Sequence, residues 1–213
     1  MNPHCGDDSI GGMSEPVDLA LVLALDGSAS VTYDEFGLIA GGLAAALRAE
    51  DVMAALTQGR GALLALLLWS GRASQAVLVE WTRVATGPDL ARFAEAVENV
   101  PRAIPAGLTA IGSALVAAAG LLARAPAEAT RQVIDLAGDG RNNDGPLPAP
   151  IRDRLAGAGI TINGLCVLHE EPDLLETYRR EVIGGPGAFA LACPDYAAFA
   201  AAMREKLRQE AIA

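Results

Sequence analysis

The chain has 213 residues, of which 52% are apolar, and a formal net charge of −10 at pH 7. This length allows one sizeable hydrophobic core, and no linker-like stretch divides it, so we expect a single domain. The acidic balance argues against a nucleic-acid partner, because binding to phosphates needs clustered lysine and arginine. No apolar run approaches the roughly 20 residues that a membrane span requires, so no span is predicted.

The N-terminal segment, residues 1–16, has neither a basic start nor an apolar centre, unlike an intact secretory signal. We expect a flexible lead-in here, followed by one domain over residues 17–213. As written, the chain is expected in the cytoplasm, with the periplasm as the alternative if a leader has been removed. The three cysteines are odd in number and lack metal-type spacing, which indicates reduced thiols at Cys5, Cys166 and Cys193.

The first apolar run, residues 18–25, predicts a buried strand that ends in the polar loop Asp-Gly-Ser-Ala-Ser at residues 26–30. A helix is predicted to follow, because Thr32 can cap it and acidic residues occupy its first turn. This helix is expected to end near Arg48, with a short helix after it at residues 51–57.

Two further apolar runs, residues 62–69 and 75–81, are too close in sequence for a crossover helix, so these strands must pair antiparallel. The remaining chain alternates helix and strand, which is typical of parallel strands covered on both faces. Helices are predicted at residues 89–97, from Thr109 to about Arg124, and at 149–158, 172–181 and 195–210, with strands at 132–137, 161–168 and 188–193. We therefore predict an α/β fold with a six-stranded, mostly parallel central sheet, one antiparallel edge strand and helices on both faces.

Three polar loops are predicted at the same end of this sheet, where open α/β folds bind ligands. The first carries Asp26, Ser28 and Ser30, the second carries Thr109, and the third carries Asp139 between two glycines. Together they supply two carboxylates and three hydroxyls, with no imidazole or thiolate nearby in the sequence. Such hard oxygen donors indicate Mg²⁺, with Mn²⁺ or Ca²⁺ as alternatives. Neutral hydroxyls leave a divalent ion underneutralised, so it would accept an anionic oxygen from outside.

A simpler interpretation of residues 26–30 is a strand-to-helix turn with capping serines, since aspartate and serine are ordinary cap residues. The additional presence of Thr109 and Asp139 in two other loops at the same end of the predicted sheet favours the metal site. Asp135 is unusual within a buried strand, and we expect it either to bond a group behind the site or to face an edge of the sheet.

The sequence DGSAS at residues 26–30 resembles the DxSxS motif of von Willebrand factor A-like domains. Their metal-ion-dependent adhesion site also takes a threonine from a second loop and an aspartate from a third. The resemblance covers residues 17–212 and extends to a bacterial subfamily whose function is largely undefined. Leu108 and Gly138 depart from the pattern, because many relatives have glycine at the first position and serine or threonine at the second. The matching site positions are Asp26, Ser28, Ser30, Thr109 and Asp139.

The resemblance implies a Rossmann-like von Willebrand A fold in which Ser28, Ser30 and Thr109 ligate the metal directly. It also implies that Asp26 and Asp139 act directly or through water. A glutamate or aspartate of a partner protein would complete the octahedron. The chain would then be a metal-dependent protein-binding module and not an enzyme.

Two alternatives remain: a Mg²⁺-dependent phosphohydrolase-type enzyme, and a structural domain whose ion only tethers loops. The enzyme would need an aspartate nucleophile with a second acid or a lysine nearby. Here Ser28 stands two residues after Asp26, and no lysine precedes Lys206. A phosphate-cradling GxxxxGK[ST] loop and a GxGxxG dinucleotide loop are also absent from the sequence.

Overall fold

The computed structural model describes residues 15–212, which form one six-stranded sheet and seven helices. The predicted lead-in falls outside the described residues except for Glu15 and Pro16, and Cys5 also falls outside them. No helix within residues 15–212 combines the length and the apolar character that crossing a membrane would require. The strands are β1 (Val17–Asp26), β2 (Ala62–Trp69), β3 (Gln75–Val84), β4 (Ala129–Gly138), β5 (Thr161–Val167) and β6 (Ala190–Cys193). The helices are α1 (Tyr33–Leu47), α2 (Glu50–Leu56), α3 (Gly87–Glu98), α4 (Ile111–Leu122), α5 (Pro148–Gly157), α6 (Leu174–Glu181) and α7 (Phe199–Ile212).

The strand order is β3-β2-β1-β4-β5-β6, with β3 antiparallel to β2 and all other neighbouring strands parallel. This confirms the predicted α/β fold with its single antiparallel edge strand. The chain leaves β1 towards β2 on one side and returns to β4 on the other, so the strand order reverses between β1 and β4. Ligands of open α/β sheets bind at the carboxyl ends of the strands at such a point.

Both faces of β1 are buried, as its nearly continuous apolar sequence predicts. Leu21, Leu23 and Leu25 pack on the face that α1, α2, α3 and α7 cover. Val22 and Ala24 pack on the opposite face, which α4, α5 and α6 cover. This division follows from the alternation of side chains along a strand. The central strands that position the polar loops are therefore held from both sides.

The predicted elements are all present, and their ends lie within three residues of prediction except at the start of α7. α4 begins two residues after Thr109, because the Thr109 backbone is bound to another loop: its N–H donates to Asn143 Oδ1 (2.8 Å) and its carbonyl accepts from the Asn143 N–H (2.9 Å). α7 begins four residues later than predicted. The chain first turns at Asp195, whose Oδ1 accepts the N–H of Ala198 (2.9 Å).

A cluster of buried polar side chains joins α7 to the middle of the sheet. Lys206, the single lysine of the sequence, has its Nζ 2.5 Å from Asp135 Oδ1 and 2.5 Å from Glu210 Oε1. The Asn163 amide donates to the same Glu210 oxygen (3.0 Å). Burial, and then the charge of Asp135, raise the pKa of Glu210 to about 7. The expectation for Asp135 was wrong: β4 is a central strand, and Asp135 pairs with Lys206 instead of facing an edge or the polar loops.

We expect Lys206→Met to lower the free energy of unfolding by about 3–5 kcal/mol at pH 8, because it leaves two buried carboxylates without a cation. Urea unfolding followed by circular dichroism measures the loss. The control is Arg204→Met on the same helix, which removes an exposed ion pair with Asp51 that is worth less than about 1 kcal/mol. Equal losses in the two variants would contradict the importance of the buried cluster.

Candidate metal centre

Four of the five predicted metal ligands form a chain of hydrogen bonds at the carboxyl ends of β1 and β4. Asp26 is the last residue of β1, and Asp139 directly follows β4. The Ser28 N–H donates to Asp26 Oδ1 (2.7 Å), and the hydroxyl oxygens of Ser28 and Ser30 are 3.1 Å apart. The Ser30 hydroxyl donates to Asp139 Oδ1 (2.8 Å). The structure therefore brings together two loops that lie more than 100 residues apart in the sequence.

The fifth predicted ligand, Thr109, lies on a loop that is tied to both of the others. The N–H of Ala29 donates to the carbonyl of Gly107 (2.8 Å), which joins this loop to residues 26–30. The Thr109 hydroxyl oxygen is 3.6 Å from the position that a Cβ on Gly140 would occupy. Because Gly140 directly follows Asp139, the Thr109 hydroxyl lies beside the third loop. All five predicted residues thus occupy one region of the molecule.

The two carboxylates of this region are buried and have no counter-charge. Asp26 is 1% exposed and Asp139 is 0% exposed. Within residues 15–212 neither makes a salt bridge, and the Oδ2 atom of each has no hydrogen-bond partner. Burial, and then the charge of Asp139, raise the pKa of Asp26 to about 7. An isolated buried carboxylate is costly unless it is paired or binds a metal.

A divalent cation fits these residues. The donors are carboxylate and hydroxyl oxygens, which suit Mg²⁺, Mn²⁺ or Ca²⁺ better than softer metals. Ser28 and Thr109 are buried, and Ser30 is exposed, so the donor set reaches the surface. No group of three or more histidine, cysteine, aspartate or glutamate side chains suited to a metal occurs in the part of the chain that the structure describes. A metal at this site would therefore depend on the hydroxyl groups as well as on the carboxylates.

Arg102 supports the first loop and was not identified from the sequence. Its Nη2 donates to the carbonyls of Gly27 (2.9 Å) and Ser28 (2.8 Å). Its guanidinium lies 5.4 Å from the centre of the Tyr33 ring, a cation–π contact. Arg102 belongs to an irregular loop, and no periodicity or motif connects it with residues 26–30. Only the folded arrangement reveals this contact.

Two buried tyrosines, Tyr178 and Tyr196, lie beside Asp26 and Gly138 and were not identified from the sequence. The hydroxyls of Tyr178 and Tyr196 have no hydrogen-bond partner within the described residues. Burial raises the pKa of both phenols, and the charges of Asp26 and Asp139 raise it further. Both phenols therefore stay protonated at neutral pH. Their positions in the sequence predict nothing beyond buried aromatic residues.

Known structures share this fold. The mussel byssus proximal thread matrix protein 1 superposes with a TM-score of 0.66 at 16% identity, covering 92% of this chain and 46% of that one. A von Willebrand factor type A structure from Catenulispora acidiphila gives a TM-score of 0.63 at 20% identity, covering 92% and 43%. The von Willebrand domain of the type V pilus tip protein Mfa5 from Porphyromonas gingivalis gives 0.60 at 11% identity, covering 93% and 97%. The chain thus spans less than half the length of the first two.

A second structure of the mussel protein, with a TM-score of 0.64 at 18% identity, is described as having a zinc-occupied MIDAS motif, the metal-ion-dependent adhesion site. It covers 92% of this chain and 46% of the mussel chain. No curated protein matches the sequence. A family model described as "Protein of unknown function (DUF1194)" matches residues 16–213. The chain adopts the von Willebrand factor type A fold and belongs to the DUF1194 family.

Proposed function

We propose that the chain is a metal-dependent protein-binding module. A divalent cation captures a glutamate or aspartate carboxylate of a partner protein, with Mg²⁺ as the expected ion and Mn²⁺ or Ca²⁺ as alternatives. The observation that carries the proposal is the pair of buried carboxylates, each with one unpartnered oxygen, beside linked serine hydroxyls. The residues that would hold the ion are Asp26, Ser28, Ser30, Thr109 and Asp139.

The charge of these residues supports capture of an anionic group. Three of the five donors are neutral hydroxyls, so much of the ion's positive charge remains available to an additional ligand. The N-termini of α1 and α4 follow the first and second loops, and their partial positive charge favours an incoming anion. The neutral donors and the helix N-termini both lower the affinity for a cation alone, and both favour a complex that includes a partner carboxylate.

The fold neighbours support a site of this kind by analogy. The zinc-occupied motif belongs to the mussel protein, and we extend divalent-metal binding to this chain because of its own oxygen donors. A donor set without nitrogen or sulfur favours Mg²⁺ over Zn²⁺. Two of the neighbours named above are a matrix protein and a domain of a pilus tip protein, which is consistent with a role in binding.

The proposal assigns no catalytic role to the chain. Lys206 lies in the buried cluster with Asp135 and Glu210, so it cannot assist a nucleophile at the polar loops. The Nη2 of Arg102 is engaged with backbone carbonyls. The burial of Lys206 argues against a phosphohydrolase in which a lysine assists the nucleophile.

The proposed site should bind a divalent ion in solution. Isothermal titration of Mg²⁺ into EDTA-treated and dialysed protein should detect one ion per chain. Thr109→Ala and Asp139→Asn should each weaken binding by about tenfold or more, because each removes an oxygen donor or its charge. Thr130→Ala is the matched control, since the Thr130 hydroxyl accepts from Arg60 at the other end of β4. Unchanged affinity in both Thr109→Ala and Asp139→Asn would rule out the proposed site.

A protein partner should bind through an acidic side chain. Peptides selected from a random displayed library in Mg²⁺ should contain an essential acidic residue. Resynthesis with glutamine or asparagine at that residue should abolish binding, as should EDTA or Thr109→Ala. An ion that only tethers loops would give Mg²⁺ binding without carboxylate-dependent peptides. Turnover of a phosphate monoester that is lost in Asp26→Asn would support the enzyme instead.

The buried charge of Asp26 should destabilise the metal-free fold. Because the pKa of Asp26 is raised to about 7, its unfavourable contribution grows between about pH 4 and pH 7 and is complete at pH 8. In EDTA at pH 8, Asp26→Asn should therefore raise the free energy of unfolding by about 4 kcal/mol. Urea unfolding measures the change, with exposed Asp34→Asn as the control. A loss of stability in Asp26→Asn under these conditions would contradict the electrostatic argument.

A further inference from the structure

The side chain of Tyr178 packs against β5 and β4, and its hydroxyl lies beside the candidate metal centre. It projects from α6 and is fully buried. A Cβ on Gly164 of β5 would lie 2.8 Å from the Tyr178 ring carbon Cδ1. A Cβ on Gly138 of β4 would lie 2.8 Å from the Tyr178 hydroxyl. Real side chains do not make contacts this short, so the two glycines provide the space through which the phenol reaches the end of β4.

The Tyr178 hydroxyl and the Asp26 carboxylate flank the same point. The Cβ position on Gly138 that lies 2.8 Å from the Tyr178 hydroxyl also lies 3.0 Å from Asp26 Oδ2. Both are among the buried polar atoms that have no hydrogen-bond partner within residues 15–212. A buried donor and a buried acceptor therefore lie close to the same point, and they do not hydrogen-bond to one another in this structure.

We propose that Tyr178 is a positioning residue of the metal centre: once a cation is bound, its hydroxyl donates to the Asp26 carboxylate and holds it in one orientation towards the cation. This inference rests on the proposed function, because it needs a cation at that carboxylate. Groups that hydrogen-bond to metal-bound carboxylates fix the ligand and commonly change metal affinity by 10- to 100-fold. The hydroxyl comes from α6 and lies where a side chain on Gly138 would begin.

A purely structural role for Tyr178 requires only its ring. A phenylalanine would fill the same space between Gly164 and Gly138 without burying a hydroxyl that has no partner. In the metal-free fold the hydroxyl is a cost, since unpaired buried polar groups are unfavourable. A role towards Asp26 would explain its presence, and the two roles predict opposite effects of removing the hydroxyl.

The test compares Tyr178→Phe with the wild type and with Tyr33→Phe, which removes an exposed hydroxyl and keeps its ring. In EDTA, Tyr178→Phe should raise the thermal midpoint by about 2 °C or more, because an unpaired hydroxyl is removed. In Mg²⁺ titrations the same variant should bind about tenfold more weakly. Tyr33→Phe should change neither quantity.

The outcomes separate this inference from the proposed function. If the wild type binds Mg²⁺ and Tyr178→Phe binds it equally well, the positioning role is overturned and the metal site stands. If Tyr178→Phe lowers the thermal midpoint in EDTA, the hydroxyl has a structural role and the inference is overturned as well. If the wild type binds none of Mg²⁺, Mn²⁺ and Ca²⁺, the proposed function fails, and the positioning role fails with it.

Discussion

Two carboxylates buried side by side without a counter-charge are the constraint on which the arrangement of the polar loops depends. Asp26 and Asp139 come from neighbouring central strands, and the sheet fixes their proximity. The hydrogen bonds from Ser28 and Ser30 orient the carboxylates but do not neutralise them. The proposed divalent cation would remove this imbalance, and ligands without charge would leave the ion attractive to an external acid.

Two aspartates four residues apart, Asp135 within β4 and Asp139 directly after it, have different surroundings. Asp135 faces α7, where the single lysine of the sequence lies between it and Glu210. Asp139 lies at the end of the strand, where no basic side chain of the described residues approaches its carboxylate. Charge balance is thus internal in the middle of the sheet, whereas at the carboxyl end of β4 the proposed cation would supply it. This difference separates an aspartate with a structural role from one that belongs to the proposed metal site.

The sequence predicted the fold well because its signals are local. Continuous apolar runs bounded by polar loops indicated strands buried on both faces, and the short separation of residues 62–69 and 75–81 required an antiparallel pair. The candidate site was also predictable, since its residues directly follow strands or precede helices. Arg102 and Tyr178 were missed because only tertiary contacts give them a role. The partner of Asp135 was missed for the same reason, since Lys206 is distant in sequence and no spacing rule connects the two.

The buried position of Lys206 also determines how the surface of this protein can be modified. Its ammonium group is the only side-chain amine in the chain, and the Lys206 side chain is 0% exposed between α7 and the sheet. Reagents that acylate lysines, cross-linkers that join them and enzymes that attach groups to them therefore find no accessible target on the folded surface. Coupling the protein to a support or dye through amines requires an introduced lysine or the terminal amino group.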